Sequence, residues 1–259
     1  MSGQIIGLQD WFAIPPPGRY LLAWEQAQFD EAVADVFGYH ALQLGAAGVD
    51  GLRTNRMPHR WLALPDPGQT SGRAALFTDF AALPFAANSL DLVVLPHALE
   101  LSEDPHAALR EVERVLVPEG RVVICGLNPA SLWGMRQRRA HLYRRLGFGD
   151  LFLPEGGEFI GYWRMRDWLR LLSFEVESGR FGVYRPAVRS EAWLERCRWM
   201  DAAGERWWSI FGAAYFLVAV KRVRGMRLLS ADWRRAAARA TAPVPIAGKM
   251  HKAKADRAD

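Results

Sequence analysis

Two unbroken apolar runs joined by a single helix, all within 46 residues, constrain this chain more than any other feature. The stretch runs from Leu83 to Asn128. Its first run, Leu92 to Leu95, ends at Pro96-His97, and its second, Val122 to Gly126, follows a Pro118-Glu119-Gly120 turn. Between them Asp104 is placed to cap a helix whose first residue, Pro105, occupies the position where a missing N–H costs nothing. Leu109, Val112 and Leu116 give that helix one apolar face, while Arg110, Glu111, Glu113 and Arg114 fill the others. Neither strand alternates with polar residues, so both faces of each are covered. A strand–helix–strand unit of this length makes its two strands parallel and its crossover right-handed. The expected fold class is α/β, a doubly wound sheet.

Several short motifs give the unit a family resemblance. Asp79 follows a third predicted strand, and Leu83-Pro84-Phe85 and Ser89-Leu90-Asp91 precede the fourth. Arg114-Val115-Leu116 ends the helix, and Pro118-Glu119-Gly120 makes the turn, with Glu119 standing where a glycine is usual. Over these roughly fifty residues the chain resembles the class I S-adenosylmethionine-dependent methyltransferases, in the branch that acts on quinones and other small molecules. The resemblance implies a Rossmann-like, mostly parallel seven-stranded sheet whose antiparallel last strand lies between strands five and six. It also implies S-adenosyl-L-methionine as cofactor and a small-molecule or lipophilic acceptor. A fold does not by itself establish a function.

In the resembled family the first strand ends in an acid followed by three alternate glycines, which let the backbone approach the cofactor. Here the segment reads Gln43-Leu44-Gly45-Ala46-Ala47-Gly48-Val49, with Gly45 matching the first glycine and Gln43 replacing the acid. Valine is poorly suited to a left-handed backbone, and keeping the family geometry would cost about 1–2 kcal/mol at each replaced glycine. A one-residue shift puts Gly48 in the third role. Asp66, after the second strand, is either the family's ribose-binding acid or a plain turn residue between Pro65 and Pro67. Asp79 either holds the adenine amino group or caps the following turn. His97 lies beyond the end of strand four, where open α/β sheets place ligands; it is either a general base or a histidine satisfied by a backbone partner. Asn128-Pro129 lacks the Pro-Pro-Tyr continuation of amino-group methyltransferases.

Domain organisation follows from composition. Residues 1–20 read as an entry segment with a stiff Pro15-Pro16-Pro17-Gly18 loop, and a leading helix is expected from about Tyr20 to Phe37. Residues 21–224 form the methyltransferase-like domain, with a lid-like insert at 130–160. Met135 to Arg145 carries five arginines and no acid; a solvated helix face is the default reading, with an anionic surface or RNA as alternatives. Residues 225–259 are expected to be a disordered basic tail. From Lys221 onward there are eleven Lys/Arg against three Asp/Glu, so the chain's net charge of +5 conceals a net −3 over residues 1–220.

Cys125 and Cys197 offer no disulfide framework or metal-ligand spacing, which together with the absence of a signal-peptide pattern suggests the cytoplasm. The most apolar stretch, Trp207 to Val220, is too short to span a bilayer. Two rival functions remain beside methyl transfer to a small acceptor. One is a cofactor-free relative that binds a partner, and the other is an RNA-directed methyltransferase.

Overall fold

The computed structural model describes residues 11–65, 72–145, 151–153 and 159–222. Asp66, the Leu146-Gly147-Phe148-Gly149 and Glu155-Gly156-Gly157 stretches and the basic tail lie outside them.

Seven strands form one sheet: β1 (His40–Leu44), β2 (His59–Leu64), β3 (Leu76–Phe77), β4 (Leu90–Pro96), β5 (Leu116–Leu127), β6 (Phe174–Gly182) and β7 (Ala214–Lys221). Their order across the sheet is β3-β2-β1-β4-β5-β7-β6. β1 pairs in parallel with β2 and β4, as do β2 with β3 and β4 with β5. β7 runs antiparallel between β5 and β6, as the resemblance implied. Successive residues of β4 face opposite cores. Leu92 and Val94 meet helix α1 (Pro16–Ala34), while Val93 and Leu95 meet α2 (Pro105–Val115) and α4 (Tyr162–Leu171).

α2 begins as its sequence dictates: Asp104 accepts the Ala107 N–H at 2.9 Å, with Pro105 behind it. The family motifs around it turn out to be clasps. Arg114 donates to the Leu83 and Phe85 carbonyls at 3.0 and 2.9 Å, and Glu111 accepts the Leu83 N–H. Asp91 accepts the N–H groups of Tyr39 and His40, fixing the start of β1 against β4. Residues 117–120 bulge out of β5, between the Leu90–Leu116 and Leu92–Arg121 pairs, and there Glu119 adopts φ +65°. At the far end of β7, the buried amine of Lys221 donates to Asn88 Oδ1, the Glu113 carbonyl and the Leu116 carbonyl. It thereby satisfies carbonyls at the α2 C-terminus.

One boundary differs from expectation: α1 starts at Pro16, because prolines cost nothing in a first turn, so the stiff loop is the helix's own beginning. After Ser190 come two short helices, α5 (Glu191–Arg196) and α6 (Trp199–Trp207), with Gly204 inside α6. A Cβ on Gly204 would stand 2.2 Å from the Tyr184 ring, so close packing explains that glycine. In the insert, α3 (Leu132–Arg145) buries Trp133 and Gln137 against Phe152 and Leu153. Arg136 is committed to the Ala187 carbonyl and the Phe152 ring, while Arg138 and Arg139 face solvent. Among the described residues no helix is long and apolar enough to cross a membrane.

Candidate functional site

The carboxyl ends of β1, β4 and β5 converge, and two buried polar networks meet there. The first belongs to the loop after β1. Gln43 is 2% exposed; its Nε2 donates to Val49 O at 2.8 Å and, at longer range, to Ala46 O and Gly45 O. Its Oε1 accepts the Gly51 N–H at 2.9 Å. One neutral side chain therefore closes the loop from inside. Gln26 of α1 fastens the outside, bonding both the N–H and the carbonyl of Asp50. Left-handed backbone occurs at Gly45 (φ +74°) and Ala46 (φ +34°), not at Ala47, Gly48 or Val49. The strain expected at Val49 is thus avoided, and that side chain is buried in the core instead.

The second network is ionic. His97 holds φ +54° directly after β4, with its N–H on the Cys125 carbonyl at 3.0 Å. Its ring is 1% exposed, with Nε2 2.7 Å from Glu25 Oε1 and Nδ1 2.8 Å from Glu100 Oε2. Glu100 Oε1 in turn accepts the Leu127 N–H. Burial works to strip the ring of its proton, but the carboxylates of Glu25 and Glu100 outweigh burial and hold the pKa up at about 10. Glu100 is pushed up by its own burial, against the pull of His97. Burial, then Glu25 and Glu100, raise the Cys125 thiol well above its usual value. Two buried oxygens beside this cluster, Glu25 Oε2 and the Tyr215 hydroxyl, have no hydrogen-bond partner.

His97 is therefore where the sequence placed it, at the ligand edge, but its chemistry is different. A ring that keeps its own proton at neutral pH, with both nitrogens engaged, is a poor acceptor for a substrate proton. Glu25 went unforeseen. It stands in the stripe Leu21, Glu25, Phe29, Val33 on the buried face of α1, and the i, i+4 spacing was the available signal.

The remaining predicted positions separate. Gly45 lies against the residue after His97: a Cβ there would meet the Ala98 Cβ at 3.4 Å. Gly48 is exposed, and a Cβ on it would meet only Phe12, at 4.0 Å. The Phe12 ring lies 5.5 Å from the His97 ring, tilted by 43°, so the segment before α1 covers both the loop and the ionic cluster. Asp79 is exposed at the end of β3, where its Oδ1 accepts the Ala81 N–H at 2.9 Å. Asp66 lies outside the described residues. The unengaged charge at this edge is acidic: the Asp79 carboxylate is exposed after β3, and one Glu25 oxygen is buried without a hydrogen-bond partner beside the end of β4.

Comparison with known proteins bears on the fold and the domain. Residues 66–124 match a family described as a methyltransferase domain. The chain is 40% identical over 102 residues to the uncharacterized protein YafS of Escherichia coli (strain K12), covering 39% of this chain and 40% of that protein. It is 32% identical over 126 residues to a malonyl-[acyl-carrier protein] O-methyltransferase of Halorhodospira halophila, covering 45% and 39% respectively. The chain thus spans about two fifths of the curated relatives it matches. Among solved structures, the fold resembles one from the complex between the Haloferax volcanii Trm112 methyltransferase activator and a methyltransferase. That match has TM-score 0.56 and 18% identity, covering 86% of this chain and 99% of that one. Over residues 66–124 the chain thus matches a methyltransferase domain, and its seven-stranded sheet has the fold of the methyltransferase structure it resembles.

Proposed function

We propose, from the premise of that domain, that the protein transfers the methyl group of S-adenosyl-L-methionine to a small acceptor whose reacting atom needs no deprotonation. The observation that carries the acceptor class is the His97 cluster, where both ring nitrogens of the residue best placed to act as a base are already held by Glu25 and Glu100. A carboxylate is such an acceptor, and the malonyl-[acyl-carrier protein] O-methyltransferases among the relatives are consistent with it. When bound, the cofactor supplies a sulfonium-activated methyl group, so the chain's contribution is positioning and exclusion of water. Gly45 and Gly48 line the methionyl side in this reading, and Asp79 receives the adenine amino group. Asp66 remains the candidate for the ribose hydroxyls. The anionic Glu25–His97–Glu100 cluster favours a positive centre at the β4 end.

One observation favours a second reading. Gln43 closes the β1 loop with a complete set of internal hydrogen bonds, an arrangement suited to a cofactor-free protein that binds a partner. Calorimetric titration with S-adenosylhomocysteine decides between them. Binding that weakens tenfold or more in Asp79→Ala, about 1.4 kcal/mol, supports methyl transfer. No heat at high micromolar ligand, with folded protein, refutes it and leaves the partner-binding reading.

A further inference from the structure

Glu25, His97 and Cys125 come from three separate elements, α1, the end of β4 and β5, and all are buried. One oxygen, one imidazole nitrogen and the sulfur lie within 4.8 Å of one another. A tetrahedral zinc ion, with bonds of about 2.0–2.3 Å, separates its ligands by roughly 3.3–3.8 Å, so small side-chain movements bring these donors to bonding distance. The surroundings are those of a metal-bound histidine. His97 Nδ1 contacts Glu100, which is itself anchored on the Leu127 N–H, leaving Nε2 to point at Glu25. A carboxylate behind the ring fixes its tautomer and raises its basicity as a ligand. Glu25 Oε2, buried and without a hydrogen-bond partner, supplies a further donor on the same carboxylate.

We propose that Glu25, His97 and Cys125 form a binding site for a divalent cation of the zinc class, with Glu100 holding His97 in register. Glu25 contributes both oxygens, His97 its Nε2 and Cys125 its Sγ. A mixed oxygen, nitrogen and sulfur set selects zinc-like ions over magnesium or calcium, which take oxygen ligands. The cation staples the leading helix to the ligand edge of the sheet and gives the orphaned oxygen a partner. Cys125 binds as the thiolate and His97 as the neutral ring, so any proton either carries passes to solvent as its bond to the ion forms.

The test uses the full chain, stripped with chelator and titrated with Zn2+ alone, then with Co2+ as a coloured substitute. One tight equivalent and a sulfur-to-cobalt charge-transfer band are expected. Cys125→Ser should abolish the band and weaken Zn2+ at least tenfold, whereas Cys197→Ser should leave both intact. If Cys125→Ser does not fold, the wild-type band and its persistence in Cys197→Ser decide the matter. The proposal is overturned by absence of stoichiometric binding. It is equally overturned by binding without a sulfur band that is lost in His59→Ala, which would place the ion on the exposed His40–His59 pair.

Discussion

The two polar networks at the ligand edge solve the same burial problem by opposite means. Around Gln43 a neutral amide meets the backbone groups of its own loop, and neither its nitrogen nor its oxygen goes unpaired. Around His97 two carboxylates flank one imidazolium, and oxygens on Glu25 and Tyr215 are left over. A saturated neutral network only holds a shape. An ionic network with unspent donors and acceptors keeps a capacity to bind. The negative charge that the resembled family carries on its first strand is replaced here by an amide, and a carboxylate reaches this edge from α1 instead.

The contrast is tested most severely by His97→Ala, which strands two carboxylates in a buried site. It should cost about 3–5 kcal/mol in urea denaturation. A loss under 1 kcal/mol would mean the cluster is not ionic. The next largest effect is on pH dependence. His97 has a higher pKa folded than unfolded, so its stabilisation is full below about pH 6.5 and is lost as pH rises toward about 10. Wild-type stability should fall by up to about 5 kcal/mol over that range. His97→Gln should flatten the slope, and an unchanged slope would assign it to other groups.

Gln43→Leu should cost about 1–3 kcal/mol, since the Val49 carbonyl and Gly51 N–H lose their partner, and should leave the pH slope unaltered. A changed slope would show that the networks are coupled. Smallest is Glu119→Gly in the β5 bulge, remote from both. Relief of a left-handed glutamate should outweigh the entropy cost and the lost exposed pair with Arg222, for a gain of up to about 1 kcal/mol. A loss would give that ion pair more weight than surface pairs usually have.

The sheet was legible because its signals are local. The apolar runs Leu92 to Leu95 and Val122 to Gly126 lie within β4 and β5, and Asp104-Pro105 declares the start of α2. The clasps made by Asp91 and Arg114 are the motifs themselves, seen from the structural side. The site was less legible because its parts are not local. Glu25 and His97 are 72 residues apart, and a glutamate on a helix ordinarily marks the solvated side. Likewise nothing in the string Gln43 to Gly51 announces that the amide turns back onto its own loop. The Val49 problem was visible, but its solution, moving the positive φ to Ala46, depends on where the whole loop sits.

β7, buried along its whole length, has a consequence for how the molecule is made. The strand that fills the gap between β5 and β6 is the last of the seven to leave a ribosome, and its final residue, Lys221, latches the end of α2. Until that residue emerges, β5 and β6 each present an open edge to other chains. The nascent protein therefore passes through a long interval in which its two most adhesive borders wait for one late segment, and an escort that shields them would serve it best just then.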